Sequence, residues 1–225
     1  MAAAATEWFL KTTWSETDQA DFFARLKRSR SVGHKAQYLV RQARELENVG
    51  SPELLPAAIS LLDKMLAEFP EPFFLSQAHG QKASCLGKLG KVDEAITHYR
   101  LALDAEKTFP NLRTGVVHDF GIFVAENKLS QLYDEALIAL DKMRMPGTPF
   151  PNDVFREYGI RALIAEDRGE LESAKKFAQT GLEIATKDRS GFRNHPDFGL
   201  VKDKETKFYK AVEAIAAKHI QSFSN

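Results

Sequence analysis

The 225-residue sequence predicts an all-α chain: an α-solenoid of about four antiparallel helical hairpins with N- and C-terminal capping helices. Three observations predict it. The order of small and aromatic residues repeats along the chain, apolar residues in each copy recur at helical spacing, and glycines and prolines fall where hairpins need breaks. No stretch shows sustained strand alternation.

The repeat is plainest in three segments. Ala78-His79-Gly80-Gln81-Lys82-Ala83-Ser84 aligns with Asp119-Phe120-Gly121-Ile122-Phe123-Val124-Ala125 and with Glu157-Tyr158-Gly159-Ile160-Arg161-Ala162-Leu163. Each has a ring, then a glycine, then a small or short residue three places on. A second helical signal follows in each: Val92 to Ile96, Tyr133 to Leu137 and Leu171 to Lys175. The Gly-to-Ala distance is 15 residues in all three copies, counted to Ala95, Ala136 and Ala174. Ala95, Ile96, Tyr99, Ala102 and Leu103 share one face of a 3.6-residue helix, and Leu171, Ala174, Ala178, Leu182 and Ala185 repeat the pattern. Gly90 and Gly169 break between paired helices, and Pro70, Pro110 and Pro146 follow second helices. An earlier copy runs from a first helix at Tyr38 to Glu47, through the turn Gly50-Ser51-Pro52, to a second helix buried by Leu55, Ala58, Ile59, Leu62 and Leu66.

The flanks read as covers for the ends of the stack. Ser15 with Asp18 makes an N-cap and capping-box variant that opens a helix to about Arg30, with Phe22, Phe23 and Leu26 on its apolar side. Trp8, Phe9, Leu10 and Trp14 lack periodicity and read as an extended segment packed on the stack. At the other end Phe208, Val212, Ile215, Ala216, His219 and Ile220 form an amphipathic last helix. The expected organisation is therefore residues 1–34 as extended segment and capping helix, 35–187 as four hairpins, and 188–225 as loop and capping helix, in one structural domain.

The segment Ala83-x-x-Leu86-x-x-x-Gly90-x-x-x-x-Ala95-x-x-x-Tyr99-x-x-Ala102 resembles the tetratricopeptide repeat (TPR), and the resemblance covers about residues 35–187. Two departures stand out. Lys82 and Arg161 replace the large apolar residue that precedes the first small position. Ala58, Ala95, Ala136 and Ala174 recur after 37, 41 and 38 residues, against about 34 in the family. The resemblance implies a non-catalytic scaffold that binds a peptide or partner protein in a concave groove lined by first helices. Carried over position by position, the groove residues are Gln37, Val40, Arg44 and Glu47; Gln77, Gly80, Ser84 and Gly87; His118, Gly121, Ala125 and Lys128; and Arg156, Gly159, Leu163 and Glu166. Gly80, Gly121 and Gly159 then form one row, which serves either as a groove floor that lets a ligand backbone approach or as a site of tight helix packing. Arg41, Arg44, Lys88, Lys128 and Arg156 along that groove suit an acidic peptide.

Charge and chemistry narrow the function further. With 31 basic and 31 acidic residues the net charge is zero, which recommends neither nucleic acid nor a membrane surface. Between Asp21 and Glu45, however, the chain has seven bases and no acid: Arg25, Lys27, Arg28, Arg30, Lys35, Arg41 and Arg44. These form either an anion-facing patch or a face that is solvated or paired with carboxylates of neighbouring hairpins. Six histidines include no His-Glu-x-x-His, Gly87-Lys88-Leu89-Gly90-Lys91 lacks the spacing of a phosphate loop, and Cys85 reads as a buried inert thiol. No metal or cofactor is expected. One cysteine, no basic n-region at Met1 to Ala5 and no long apolar run suggest a soluble cytoplasmic protein. Two alternatives remain: a small-ligand sensor or enzyme whose pocket lies under loops 145–153 and 188–199, where Arg193 and His195 would hold an anion, and self-association through Trp8, Phe9 and Trp14.

Overall fold

The computed structural model describes residues 7–109, 112–143 and 150–218. Among these residues the chain is all-helical, with no strand: α1 (Glu16–Arg28), α2 (Val32–Val49), α3 (Leu55–Glu68), α4 (Pro72–Lys88), α5 (Val92–Thr108), α6 (Val116–Glu126), α7 (Tyr133–Met143), α8 (Pro151–Asp167), α9 (Leu171–Ala185) and α10 (Lys207–Ala216). A short 3-10 turn, Ser130–Leu132, leads into α7. No helix among the described residues is long and apolar enough to cross a membrane. The expected breaks at Pro110 and Pro146 lie outside the described residues, as do His219 and Ile220.

Helix pairs share one turn chemistry. After α4, α6 and α8 the chain closes a Schellman motif, in which the outer bond runs from Lys91 N to Leu86 O, Leu129 N to Val124 O and Glu170 N to Ala165 O, at 3.0, 3.0 and 2.9 Å. The inner bonds run from Gly90 to Gly87, Lys128 to Ala125 and Gly169 to Glu166. Such a turn needs a left-handed residue two places past the helix. Gly90 and Gly169 supply it at φ 76° and 78°, and in the third copy Lys128 supplies it at φ 53°. A side chain there costs about 1–2 kcal/mol, which is why glycine spacing alone did not mark this turn. The alanines that define the repeat, Ala58, Ala95, Ala136 and Ala174, are all buried. A larger residue at such a crossing would push the helix axes apart.

The chain divides into two compact units, residues 1–116 and 117–225. In the first, α2 pairs with α3, α4 pairs with α5, and α2 and α3 also pack on α4. Helix α2 begins well before the expected Tyr38, because the Ser31 side chain caps it by accepting from His34 N; the boundary expected after residue 34 thus falls inside a helix. Ser15 and Asp18 form the expected capping box, and α1 stops at Arg28. The aromatic segment before α1 is not fully extended, because Leu10 N donates to Glu7 O at 2.9 Å and closes a turn at Trp8 and Phe9, and the segment packs on the core. Phe9 is buried, Trp8 packs on Phe9, Phe22 and Tyr38, and Trp14 packs on Phe22. The buried Gln42 amide holds the segment in place: Lys11 N donates to its Oε1 at 3.0 Å and its Nε2 donates to Lys11 O at 2.7 Å. Of the three rings named for self-association, Phe9 is buried in its own unit, while Trp8 and Trp14 stay half-exposed.

A second buried polar tie sets the end of this unit. The Glu106 carboxylate accepts from Thr114 N at 2.7 Å and from Thr114 Oγ1 at 2.5 Å, and Thr114 Oγ1 lies 3.1 Å from Ser76 Oγ. This pins the chain after α5 so that Val116 meets Gly80.

In the second unit α8 pairs with α9, and α10 packs on both. Thr206 caps α10, which buries Phe208, Tyr209, Val212 and Ile215 as the capping-helix reading expects. Phe155 receives the Phe208 and Tyr209 rings. One stripe residue differs: Leu171 is exposed, because it is the first residue of α9 and precedes the packed face that Ala174 begins.

Candidate functional site

The residues expected to line a groove lie on first helices α2, α4, α6 and α8, except Lys128 in the turn after α6, and the structure sorts them into three groups. The glycines form the first. All three are buried beneath the side chain of a later helix. A Cβ added at Gly80 would lie 3.1 Å from Val116 Cγ2, at Gly121 2.8 Å from Ile160 Cδ1, and at Gly159 2.5 Å from Phe208 Cζ. The groove-floor alternative is therefore corrected: this row is where the next helix packs, and no ligand backbone reaches it. Val40 and Ala125 are likewise buried.

Residues that tie neighbouring first helices together make up the second group. On α2 and α4, Ser84 Oγ donates to Glu47 Oε1 at 2.5 Å and Lys88 Nζ donates to the same oxygen at 2.9 Å. On α6 and α8, Arg156 donates to Asp119. Lys128, expected on the groove wall, instead occupies the hairpin turn and pairs with Asp167 at 3.2 Å. Ser84, Lys88, Lys128 and Arg156 each find a carboxylate partner within the fold, Lys128 from an exposed side chain. His118 is mostly buried, and among the described residues its Nδ1 has no hydrogen-bond partner. Burial, then the neighbouring Arg156 charge, pushes its pKa down to about 4, and burial raises the carboxyl of Asp153. A neutral, enclosed ring is packing rather than a ligand contact.

The third group remains available, and it lies on α2 and α4 in the first unit. Gln37 and Gln77 are half-exposed, and Arg41 and Arg44 are exposed. With the Gln81 amide turned so that Nε2 donates to Val40 O at 3.1 Å, its Oε1 accepts from Arg44 Nη2 at 2.7 Å and Nε at 2.9 Å. The guanidinium is thereby oriented by a neutral amide through Nη2 and Nε, and Nη1 takes no part in that contact. Arg41 stacks its guanidinium 5.0 Å from the Phe9 ring centre and lies 3.7 Å from the exposed Glu7 carboxylate, a weak surface pairing.

Gln81 was not among the expected site residues, and Glu47 was expected to face a ligand rather than Ser84 and Lys88. A signal existed in the register. Arg44 meets Gln81 and Glu47 meets Ser84, both at an offset of 37, the same interval that separates Ala58 from Ala95. The rest of the basic run stays local: Arg25 pairs with Asp21, Lys35 stacks over Phe69, and Lys27, Arg28 and Arg30 are exposed.

The loop alternative finds a different arrangement. Phe150 stacks on Phe192 and meets Phe198 edge-on, while Asn152 N donates to Gly199 O at 2.8 Å. Arg193 and His195 are exposed to solvent around this aromatic clasp; residues 144–149 lie outside the described residues. Cys85 is buried, and burial pushes its thiol up to about 12, so it is inert as a nucleophile at neutral pH. Among the described residues no three His, Cys, Asp or Glu side chains are grouped to hold a metal ion. No family model, no curated protein and no solved structure matches the chain.

Proposed function

We propose that the chain is a non-catalytic protein-interaction module, a divergent α-solenoid of TPR type, that binds an acidic peptide or partner segment on the α2–α4 face. The observation that carries the proposal is Arg44: an exposed guanidinium held in place by the Gln81 amide, with no ion pair to a carboxylate among the described residues. A fixed fork of donors suits a ligand carboxylate, which it meets with two parallel hydrogen bonds at little cost in side-chain entropy. Arg41 lies one helical turn before Arg44 on the same face, and Gln37 and Gln77 supply neutral donors and acceptors beside them. The repeated Schellman turns and buried alanines support the helical-repeat part of the reading. A cytoplasmic location belongs to the same proposal.

The test uses labelled Asp/Glu-containing decapeptides and fluorescence anisotropy at low and high salt. Arg44→Glu is expected to weaken binding by at least about tenfold, a loss of ~1.4 kcal/mol, and Gln81→Leu, which frees the guanidinium from its orienting partner, is expected to weaken it less. Unchanged affinity in a folded Arg44→Glu variant would reject this face as the site.

A further inference from the structure

A pair of histidines on the first unit's second hairpin plays no part in the proposed peptide site. His79 of α4 and His98 of α5 bring their Nδ1 atoms to 3.0 Å, with ring centres 5.2 Å apart. Those two distances place both nitrogens between the rings, each facing the other. Imidazoles in this arrangement can share only one proton: one ring donates Nδ1–H, and the other must present a bare Nδ1 lone pair. Both rings are partly exposed, so water reaches the pair.

We propose that His79 and His98 form a two-imidazole site for a divalent transition-metal ion, with Cu2+ preferred over Zn2+, across the α4–α5 hairpin. Metal–nitrogen bonds of about 2.0–2.1 Å put two ligands about 2.9 Å apart at a right angle and about 3.3 Å apart at a tetrahedral one. The observed 3.0 Å lies between these values; because the two Nδ1 lone pairs point toward one another, each ring rotates off the line joining the nitrogens before both face one ion. The preference for Cu2+ follows the Irving–Williams order for imidazole ligands. The proton balance is simple. The ring that donated Nδ1–H carries its proton on Nε2 once the metal is bound, both Nδ1 lone pairs face the ion, and no net proton leaves the protein near neutral pH. Solvent water completes the coordination shell from the exposed side.

The charged groups around the pair set its strength. From α4, Lys82 faces both rings and opposes a cation; from α3, Asp63 acts on both rings in the opposite sense and is held 2.5 Å from Lys82 Nζ; from α5, Glu94 acts on His98.

The experiment is calorimetric titration of the untagged full chain with Cu2+ and with Zn2+ alone, alongside His79→Ala, His98→Ala and Lys82→Met. Each histidine variant is expected to lose at least tenfold in affinity for one equivalent of Cu2+. Lys82→Met, which removes the opposing charge, is expected to bind severalfold more tightly. Because a histidine variant can also disturb hairpin packing, the Cu2+ electron paramagnetic resonance spectrum of the unmodified chain is the second readout, with hyperfine structure from two equatorial nitrogens expected. The absence of saturable binding, an isotherm unchanged in both histidine variants, or a spectrum showing no nitrogen ligand would overturn the site.

Discussion

Replacing Gly159 by alanine asks whether the glycine row is a packing device. Two effects oppose each other. Alanine gains about 1 kcal/mol of helix propensity over glycine in the interior of α8. Against this, the new Cβ lies 2.5 Å from Phe208 Cζ, 2.9 Å from Phe208 Cε1 and 3.0 Å from Val212 Cγ2. Both neighbours are buried on α10, and the Phe208 ring is held against Phe155, so neither can swing aside. Overpacking of this kind costs about 1–3 kcal/mol and more where a stiff ring must shift. The net expectation is a loss of about 1–2 kcal/mol, since the clash exceeds the propensity gain. At Gly80 the nearest atom is a single Val116 methyl at 3.1 Å, so Gly80→Ala is expected within about 1 kcal/mol of neutral, with Gly121→Ala between the two. Urea unfolding followed by far-UV circular dichroism measures all three. The same substitution in a Phe208→Leu background removes the ring atoms that clash, and there Gly159→Ala is expected to cost at least about 1 kcal/mol less. Stabilisation of the unmodified background by Gly159→Ala, or the same cost with and without Phe208, would refute the packing assignment.

Two further predictions test the polar interior. In the folded chain His118 stays neutral down to about pH 4, whereas in the unfolded chain it takes a proton below its ordinary 6.5; stability is therefore lost as pH falls from 6.5 through 4, by about 3 kcal/mol in all. His118→Leu removes this dependence, so its stability relative to the unmodified chain should rise by that amount between neutral pH and pH 4, and a pH-independent difference in urea unfolding would show the ring to be solvated. Gln42→Ala leaves the Lys11 peptide group without its two partners at a cost of about 1–3 kcal/mol, expected as red-shifted fluorescence of Trp8 and Trp14 and faster tryptic cleavage after Lys11; unchanged cleavage would mean the aromatic contacts alone hold the segment.

Much of the architecture was legible because it depends on local regularities. The 3.6-residue recurrence of Ala95, Ile96, Tyr99 and Ala102 reports a face that must be buried, and a chain reports it without knowing its neighbour. Capping is equally local, so Ser15 with Asp18 announced α1 and glycines announced two of the three Schellman turns. Where a local preference is overridden the sequence misleads. Lys128 adopts a glycine conformation, and it therefore read as a groove residue instead of a turn.

The candidate site was less legible, because side-chain partners are chosen across space. Lys88 and Arg44 look alike as bases near the same face, yet Lys88 closes on the Glu47 carboxylate and Arg44 on the neutral amide of Gln81. Glycine carries the same ambiguity. A missing Cβ permits close approach but does not say by what, and only packing shows Val116, Ile160 and Phe208 filling the space. By itself, then, the order of residues determined the helices, their breaks and the small positions at which they cross, since backbone geometry and the need to hide apolar faces act over a few residues. Which charges are cancelled and which stay free was decided only when distant segments came within a few ångströms, because hydrogen bonds and ion pairs act at contact distance and between residues 37 positions apart.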